Sequence, residues 1–439
     1  MRLIPIVLLA GAGLAHARNN PLATKDQCEI DVLSAELSKS PEFEPLKKDA
    51  LEQYLKTLKK YNVNITDFIM KDLHVAMDEL VFSSVQKAAN GDPTKPKVYW
   101  TDTAARRHDW FGISVPGGRY SYDNPDCIYR TVPIDNKYKY KLTGRRFGNG
   151  TTDASFSLIS NMNSQNTIST ISKKDLKVNS DGTYEITISS DEMGGKNHLK
   201  SDWTAKQLFI RHNLGDWNHE TPDELEVKVL GNPQPWFPRT NRSIINDAKE
   251  NLKESTFFYG FGALDFKTLS VPTNELKDPS QSSSLGTLTS QASSFGHFNI
   301  RDDEAYVITI SGGKSSYWVV PVTTMGLLTQ DPEHNIVSFN SVQSAPNNNG
   351  TYTFVLSAKD PYVYNYINIA GVPQGTLMLR WQGLPLSDGT VKDLKVHAQV
   401  VKFKDLHKVL PKETRYVSSK ERDQQVRERQ QGYHRIHYQ

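Results

Sequence analysis

GTYTFVLSAKDPYVYNYINIAGVPQGTLMLRWQG, residues 350 to 383, is the stretch whose reading decides the fold. Gly350 follows an asparagine and launches an alternating strand from Thr351 to Ser357. An acidic turn, Lys359-Asp360-Pro361, comes next, then a tyrosine-rich loop and a second strand ending on Arg380-Trp381. The same order occurs earlier in the chain. Asp181-Gly182-Thr183-Tyr184-Glu185-Ile186-Thr187-Ile188-Ser189 echoes Asn349-Gly350-Thr351-Tyr352-Thr353-Phe354-Val355-Leu356-Ser357. An acidic turn (Asp191-Glu192), an asparagine (Asn197 against Asn365) and a strand closing on arginine (Phe209-Ile210-Arg211 against Met378-Leu379-Arg380) follow in register. A tryptophan lies near each end, Trp217 and Trp381. Such an echo predicts two related sandwich halves or two related sandwiches.

Outward from these copies the texture is β from Val98 to about Lys404: short alternating runs such as KYKYKL (Lys137 to Leu142) and QLFIR (Gln207 to Arg211), punctuated by Gly, Asn, Asp and Pro. Before them the pattern is helical. Leu46, Leu51, Tyr54, Leu55 and Leu58 form one stripe, and Asn64 or Thr66 can cap a second helix carrying Phe68, Ile69, Leu73, Met77 and Leu80. NPQPWFP (Asn232 to Pro238) reads as a linker, Arg239 to Tyr259 as a helix, and Asp278 to Ser294 as a mobile Ser/Thr/Gln-rich loop. The predicted fold is mainly β, with two β-sandwich or jelly-roll-like units and an N-terminal helical segment. Its boundaries are a helical segment over 18–95, a first β domain over 96–232, linker, helix and loop over 233–294, a second β domain over 295–405, and a charged tail over 406–439, either a solvated helix or disordered.

The first residues address the chain for export. Met1-Arg2, the apolar run Leu3 to Leu14 and Ala15-His16-Ala17 have the form of a signal peptide over 1–17, too short to span a bilayer. With 52 basic against 49 acidic residues, neither nucleic acid nor a membrane surface is an expected partner, and no membrane anchor is expected. Four glycosylation sequons begin at Asn64, Asn149, Asn241 and Asn349, two of them on Asn-Gly turns. The two cysteines, Cys28 and Cys127, predict one disulfide in an oxidising compartment, closing a loop worth roughly 4–5 kcal/mol in the chain-entropy model.

DNPDCIY (Asp123 to Tyr129), DGTYEITIS, FGHFNIRDDEAYVITI (Phe295 to Ile310), SFNSVQ (Ser338 to Gln343) and DPYVYNYINIAGVPQGTLMLRWQ (Asp360 to Gln382) resemble the family of bacterial and fungal proteins carrying the paired domains of unknown function 1254 and 1214. The likeness runs from Asn90 to Leu386. The family pattern has a tryptophan at the position of Tyr366 and a glycine near Tyr362, and this sequence departs from it at both. The resemblance implies sandwich or jelly-roll domains behind a helical part, and no established activity.

Several constellations could carry chemistry. Asp302-Asp303-Glu304 precedes a strand, so Asp303 and Glu304 are candidate acid/base residues; a charged turn that keeps an edge strand soluble is the plainer reading. Arg211 and Arg380 end equivalent strands, and an arginine inside an apolar strand needs a partner: Asp360, Glu304 or Asp303, or else an anionic or carbohydrate ligand held by the planar fork. Trp381, Asn365 and the alternating Tyr362, Tyr364 and Tyr366 are candidate ligand contacts, an aromatic platform beside an amide. His212, Asp216 and His219 read as solvated turn residues, not metal ligands. Gly260-Phe261-Gly262 reads as a turn. No metal or cofactor is expected. The function expected from this set is a secreted glycoprotein that binds a glycan or small molecule in a sandwich cleft. The alternative is an extracellular hydrolase or lyase acting on polysaccharide, or a tailoring enzyme for an exported metabolite.

Overall fold

The computed structural model describes residues 20–101, 108–110, 112–163, 166–192, 195–234, 238–281, 290–385 and 390–437. The expected signal peptide, positions 235–237 of the linker and positions 282–289 of the expected mobile loop lie outside the described residues.

Three helices come first: α1 (Lys25–Leu37), α2 (Glu44–Lys60) and α3 (Asp67–Ala89). Thr24 and Thr66 cap α1 and α3, their hydroxyls accepting from the backbone N–H of Gln27 and Ile69. The expected stripe faces inward on α2 through Tyr54 and Leu58, and α3 buries Ile69, Leu73, Met77 and Leu80. A fourth helix, α4 (Asn241–Thr256), starts with a capping box between Thr240 and Ser243. It does not stop at a turn, as the glycines had suggested: Phe257–Phe261 and Leu264–Leu269 continue it in π-helical turns.

The first sandwich holds β1 (Tyr99–Thr101), β4 (Cys127–Pro133), β10 (Gln207–Asn213), β6 (Asp153–Ile159) and β7 (Thr167–Ser172), in that order, in one sheet. Its second sheet is β11 (Glu224–Leu230), β5 (Lys139–Arg145), β8 (Thr183–Ser189) and β9 (His198–Lys200). A two-stranded ribbon, β2 (His108–Trp110) and β3 (Ile113–Val115), stands apart. The second sandwich repeats the plan. Its first sheet runs β12 (Glu275–Leu276), β14 (Ala292–Asn299), β20 (Gln374–Gln382), β16 (Tyr317–Thr323) and β17 (Ser338–Asn340), with β13 (Ser280–Gln281) beside β14. Its second sheet runs β21 (Val396–Lys402), β15 (Glu304–Ser311), β18 (Thr351–Ser357) and β19 (Tyr366–Asn368). Strand for strand the orders match, including one parallel pair in each copy, β8 with β9 and β18 with β19.

The echo is therefore a duplicated fold, and the structure shows what its shared residues do. Asn197 accepts from the backbone N–H of Lys177 and donates to its carbonyl, both at 2.8 Å. Asn365 does the same to Ala345, at 2.9 and 2.8 Å, and again the partner lies twenty residues upstream. In both copies the turn is pinned by an asparagine, Asn179 or Asn347, bonded to the threonine four residues on. The two tryptophans are not equivalent. Trp381 is in the second core and donates to the Ser311 carbonyl at 2.8 Å; Trp217 lies under the C-terminal helix.

The two cores are separate. Leu208, Ile210, Phe156 and Leu158 from one sheet meet Leu142, Tyr184, Ile186 and Ile188 from the other; Leu377, Leu379, Trp381 and Phe339 meet Tyr306, Ile308, Phe354 and Leu356 in the second sandwich. Residues 419–437 take the helical alternative for the tail and correct its expected solvation. They form α5 (Ser419–His437), which buries Arg422, Arg429, Tyr433 and Ile436 across both sandwiches. The Arg429 guanidinium lies 4.5 Å from the Trp217 ring and 5.6 Å from the Phe339 ring. No helix among the described residues is long and apolar enough to cross a membrane.

The disulfide expectation is also corrected. Cys28 on α1 and Cys127 at the start of β4 are not joined in a disulfide. Helical burial and polar anchoring tie α1 to the body instead: Gln27 donates to the Trp100 carbonyl at 3.2 Å and accepts from its N–H at 2.6 Å.

Behind that anchor sits Asp31, buried and bonded by the amides of Gln27 and Gln86. Burial pushes its carboxyl up to about 7, and burial likewise pushes Asp72 and Asp123 up to about 6. A carboxyl with a raised folded-state pKa binds a proton more tightly when folded, so its contribution to stability fades as pH rises from about 4 towards 7. The expected outcome is a higher melting temperature at pH 5 than at pH 7.5, with a shallower dependence in Asp31→Asn. A melting temperature that climbs between pH 5 and 7.5 would contradict it.

Candidate functional site

The central strands of the two matching sheets, β10 and β20, each turn one side to their own core. Phe209, Arg211 and Asn213 on β10, and Met378, Arg380 and Gln382 on β20, point the other way. These outward faces are turned towards each other. Asn213 donates to Gln382, and Gln291 on the segment before β14 accepts from Arg211 at 2.7 Å and from Gln382 at 2.8 Å. The duplication thus brings the two repeat-equivalent arginines to one place.

That place is a chamber of about 40 Å³, room for a compact anionic group or a few waters. Arg211 and Arg380 line it, only 3% and 4% exposed. Arg211 is held from behind by Ser155 at 3.2 Å. Arg380 spends one nitrogen on the Tyr122 carbonyl, and its other terminal nitrogen, Nη1, is buried with no hydrogen-bond partner. Lys267 enters from the second π-helical turn, its ammonium 5.3 Å from the centre of the Phe295 ring, and burial brings its pKa down to about 8. Tyr129, Phe209, Phe258 and Tyr259 complete the walls, Tyr129 stacked on Phe209 at 5.7 Å. Among the described residues, no aspartate or glutamate lines the chamber.

Two local distortions aim at it. Ser121 and Tyr122 both have positive φ, +57°, a conformation that costs bulky L-residues energy and collects at functional sites. The π-helical turns supply Phe258, Tyr259, Ala263 and Lys267, and such turns recur at sites for the same reason. A Cβ at Gly260 would strike the Tyr54 hydroxyl, so the first π turn needs glycine there.

Of the expected site residues, the structure brings together Arg211 and Arg380 and separates the others from them. Among the described residues, neither arginine pairs with a carboxylate. Asp360 is bonded by Arg422 at 2.8 Å, and Glu304 by Arg301 and Lys402. Hydrogen bonds from Arg301 and Lys402 hold Glu304 down to about 2, so it is fixed as an anion, and Asp303 is also drawn down by Lys402. Both stand at the start of β15, which pairs with β18 on one side and β21 on the other, so they do not guard an edge strand either. Trp381 is fully buried in the second core. Asn365 is the framework staple described above. The tyrosine platform does not form: Tyr366 is buried and donates to the Ser357 carbonyl, Tyr364 carries the Arg415 guanidinium at 4.0 Å, and Tyr362 alone is exposed. His212 corrects the solvated-turn reading. It is buried, 3.2 Å from both Arg130 and Asp223, while Asp216 and His219 pair at the surface. Among the described residues, one group of possible metal ligands gathers, Asp331, Glu333 and His334, and hydrogen bonds within its own turn and to His434 engage it.

Sequence reasoning missed Lys267, Gln291, Ser121 and Tyr122. Nothing in the residue pattern distinguishes a π-helical turn from the end of a helix, and Gln291 sat inside a segment read as loop. Four polar chamber groups converge from four parts of the chain.

No family model matches the sequence, and no curated protein matches it. Solved structures do. An uncharacterised protein from Burkholderia cenocepacia aligns over 84% of this chain and 99% of its own, at 19% identity and a TM-score of 0.69. The VPA0106 protein from Vibrio parahaemolyticus aligns over 64% of this chain and 90% of its own, at 12% identity and a TM-score of 0.41. The Burkholderia protein shares the fold, mainly β with helices at the N-terminal side; at such identity the likeness speaks for the fold alone.

Proposed function

We propose that the chain is a binding protein for a small molecule bearing a compact anionic group, a carboxylate first, which the chamber between the two sandwiches holds. The observation that carries this reading is Arg380. A buried guanidinium with an unused donor, beside a second arginine and a half-buried lysine and with no carboxylate in the walls among the described residues, is a costly arrangement unless an anion completes it. The fork of Arg380 suits a carboxylate, and the aromatic walls suit an apolar body behind it. The chain's export, its glycosylation and its place in the family with domains of unknown function 1254 and 1214 belong to the same proposal. The four sequon asparagines are all exposed, and the two matched sandwiches behind a helical layer agree with the family's expected plan.

Thermal-shift and calorimetric titration with acetate, pyruvate, benzoate, phosphate and sulfate tests it, since a ligand that binds only the folded chain raises its melting temperature. A carboxylate is expected to bind, and to bind more weakly as pH rises through about 8, where Lys267 gives up its proton and charge. Lys267→Met should be weaker throughout and lose that pH dependence. If none of these anions stabilises the protein at millimolar concentration, the reading falls.

A further inference from the structure

A second recess opens on the same sheet as the chamber and shares none of its lining. Its volume is about 500 Å³, and it runs between the end of α3, the β1–β4–β10 edge and α4. At its rim stands Trp203, 84% exposed. A large aromatic ring left in water is a ready contact for an incoming apolar face, and here the backbone beneath it is fixed. The turn that carries it is closed by the Ala205 N–H on the Asp202 carbonyl at 3.0 Å and by the Thr204 N–H on the Asp202 carboxylate at 2.7 Å.

The floor offers hydrogen bonds that none of the described residues takes up. Gln207 is 5% exposed and lines the recess, yet among the described residues its amide makes no hydrogen bond. The amide is not sealed from solvent, so its donor and acceptor are open to a molecule that enters the recess. The Thr131 hydroxyl beside it is in the same position, and so is the half-buried Asn251 amide across the recess. The carboxylates nearby are spent: Asp247 on Arg239 at 2.7 Å and Glu250 on Lys253 at 2.8 Å. Asp135 accepts the Lys137 N–H at 2.9 Å, and Lys137 and Lys206 stand exposed in the lining. What remains at the floor is two amides and a hydroxyl, beneath one exposed aromatic face.

The geometry points to an oligosaccharide site, in which a pyranose ring stacks its C–H face on Trp203 and places hydroxyls on Gln207, Thr131 and Asn251. Amides bond vicinal hydroxyls as paired donor and acceptor, and an aromatic face supplies the apolar contact that a sugar's own C–H face needs. Other ligands fit less well. A nucleotide or organic acid would call for cations converging on the floor, whereas Lys137 and Lys206 are exposed, Lys87 donates to Asn163 and Arg239 pairs with Asp247; a peptide partner would call for an apolar floor. The site is separate from the anion chamber: Gln207 and Arg211 are four residues apart on one face of β10, roughly 13 Å by strand rise.

The experiment is a tryptophan-fluorescence titration of the full-length protein with cello-, chito-, laminari- and oligogalacturonate hexamers, with acrylamide quenching read alongside. One of these glycans is expected to shift emission and shield Trp203 from quencher. Trp203→Ala should keep the wild-type melting temperature, since the ring is exposed, and lose affinity about tenfold or more. Trp203→Phe should keep part of the affinity, and Gln207→Ala should weaken binding without altering the response of the chamber to carboxylates. The proposal is overturned if no glycan of the panel binds at millimolar concentration, or if Trp203→Ala binds as tightly as the wild type.

Discussion

Arg380→Gln is expected to weaken carboxylate binding by about 10²–10³-fold while leaving the melting temperature of the ligand-free protein unchanged or raised. Removing one partner of a buried, hydrogen-bonded charge pair costs roughly 2–5 kcal/mol, and each 1.4 kcal/mol is tenfold in affinity. The ligand-free protein responds in the opposite sense because Arg380 is only half satisfied there. It gives one nitrogen to the Tyr122 carbonyl and buries the other without a partner. Taking that unmet charge out of the interior removes a desolvation cost. Arg211→Gln should act more weakly on affinity, since Ser155 and Gln291 already engage its guanidinium. Titration calorimetry and melting curves on both variants separate function from framework. A melting temperature that drops by several degrees with unaltered affinity would make Arg380 a structural residue and leave the chamber without its reason.

How much of this was legible in the sequence follows from what repeats and what does not. The strand and turn pattern around Gly182 and Gly350 carried the fold, because an alternating run behind a pinned turn is a local signal and it occurs twice. The same repetition explains why Asn365 and Asn197 are framework: each makes the same two bonds to a backbone twenty residues back. For the arginines the argument from repetition went the other way. Equivalence suggested a structural role for both, yet duplication with the outer faces opposed is what places Arg211 and Arg380 in one cavity. Which side of a sandwich meets its twin is a long-range fact, and no window of residues contains it. The tail failed for a related reason. A run as charged as KERDQQVRERQQ reads as solvated, but Arg422 and Arg429 bury long stems and stack on Tyr366, Trp217 and Phe339. Charge count alone does not reveal where an arginine's carbons go.

The strained wall of the chamber is held from outside it, and this leads to the second large effect. Glu79→Ala is expected to cost about 3–5 kcal/mol, the usual result of leaving one member of a buried pair uncompensated. Glu79 on α3 accepts from the Arg119 backbone N–H at 2.7 Å and from its Nε at 2.8 Å, and Arg119 spends Nη1 on the Thr329 carbonyl at 2.6 Å. Both side chains are buried. The pair ties the helical layer to the loop two residues before Ser121 and Tyr122, whose positive φ values persist only while their surroundings insist on them. Loss of the pair should therefore loosen the backbone that presents the Tyr122 carbonyl to Arg380, and weaken anion binding as well as stability. Glu79→Leu with Arg119→Met removes both charges together and is expected to recover most of the stability, because neither partner is left buried and alone. It should not recover the affinity, since an apolar pair has no hydrogen bond to the Arg119 N–H with which to fix the loop. Denaturant midpoints and carboxylate titrations on the single and double variants distinguish the two effects. If the double variant regains both stability and binding, the Glu79–Arg119 pair supplies charge balance alone, and the strain at Ser121 and Tyr122 is maintained by packing.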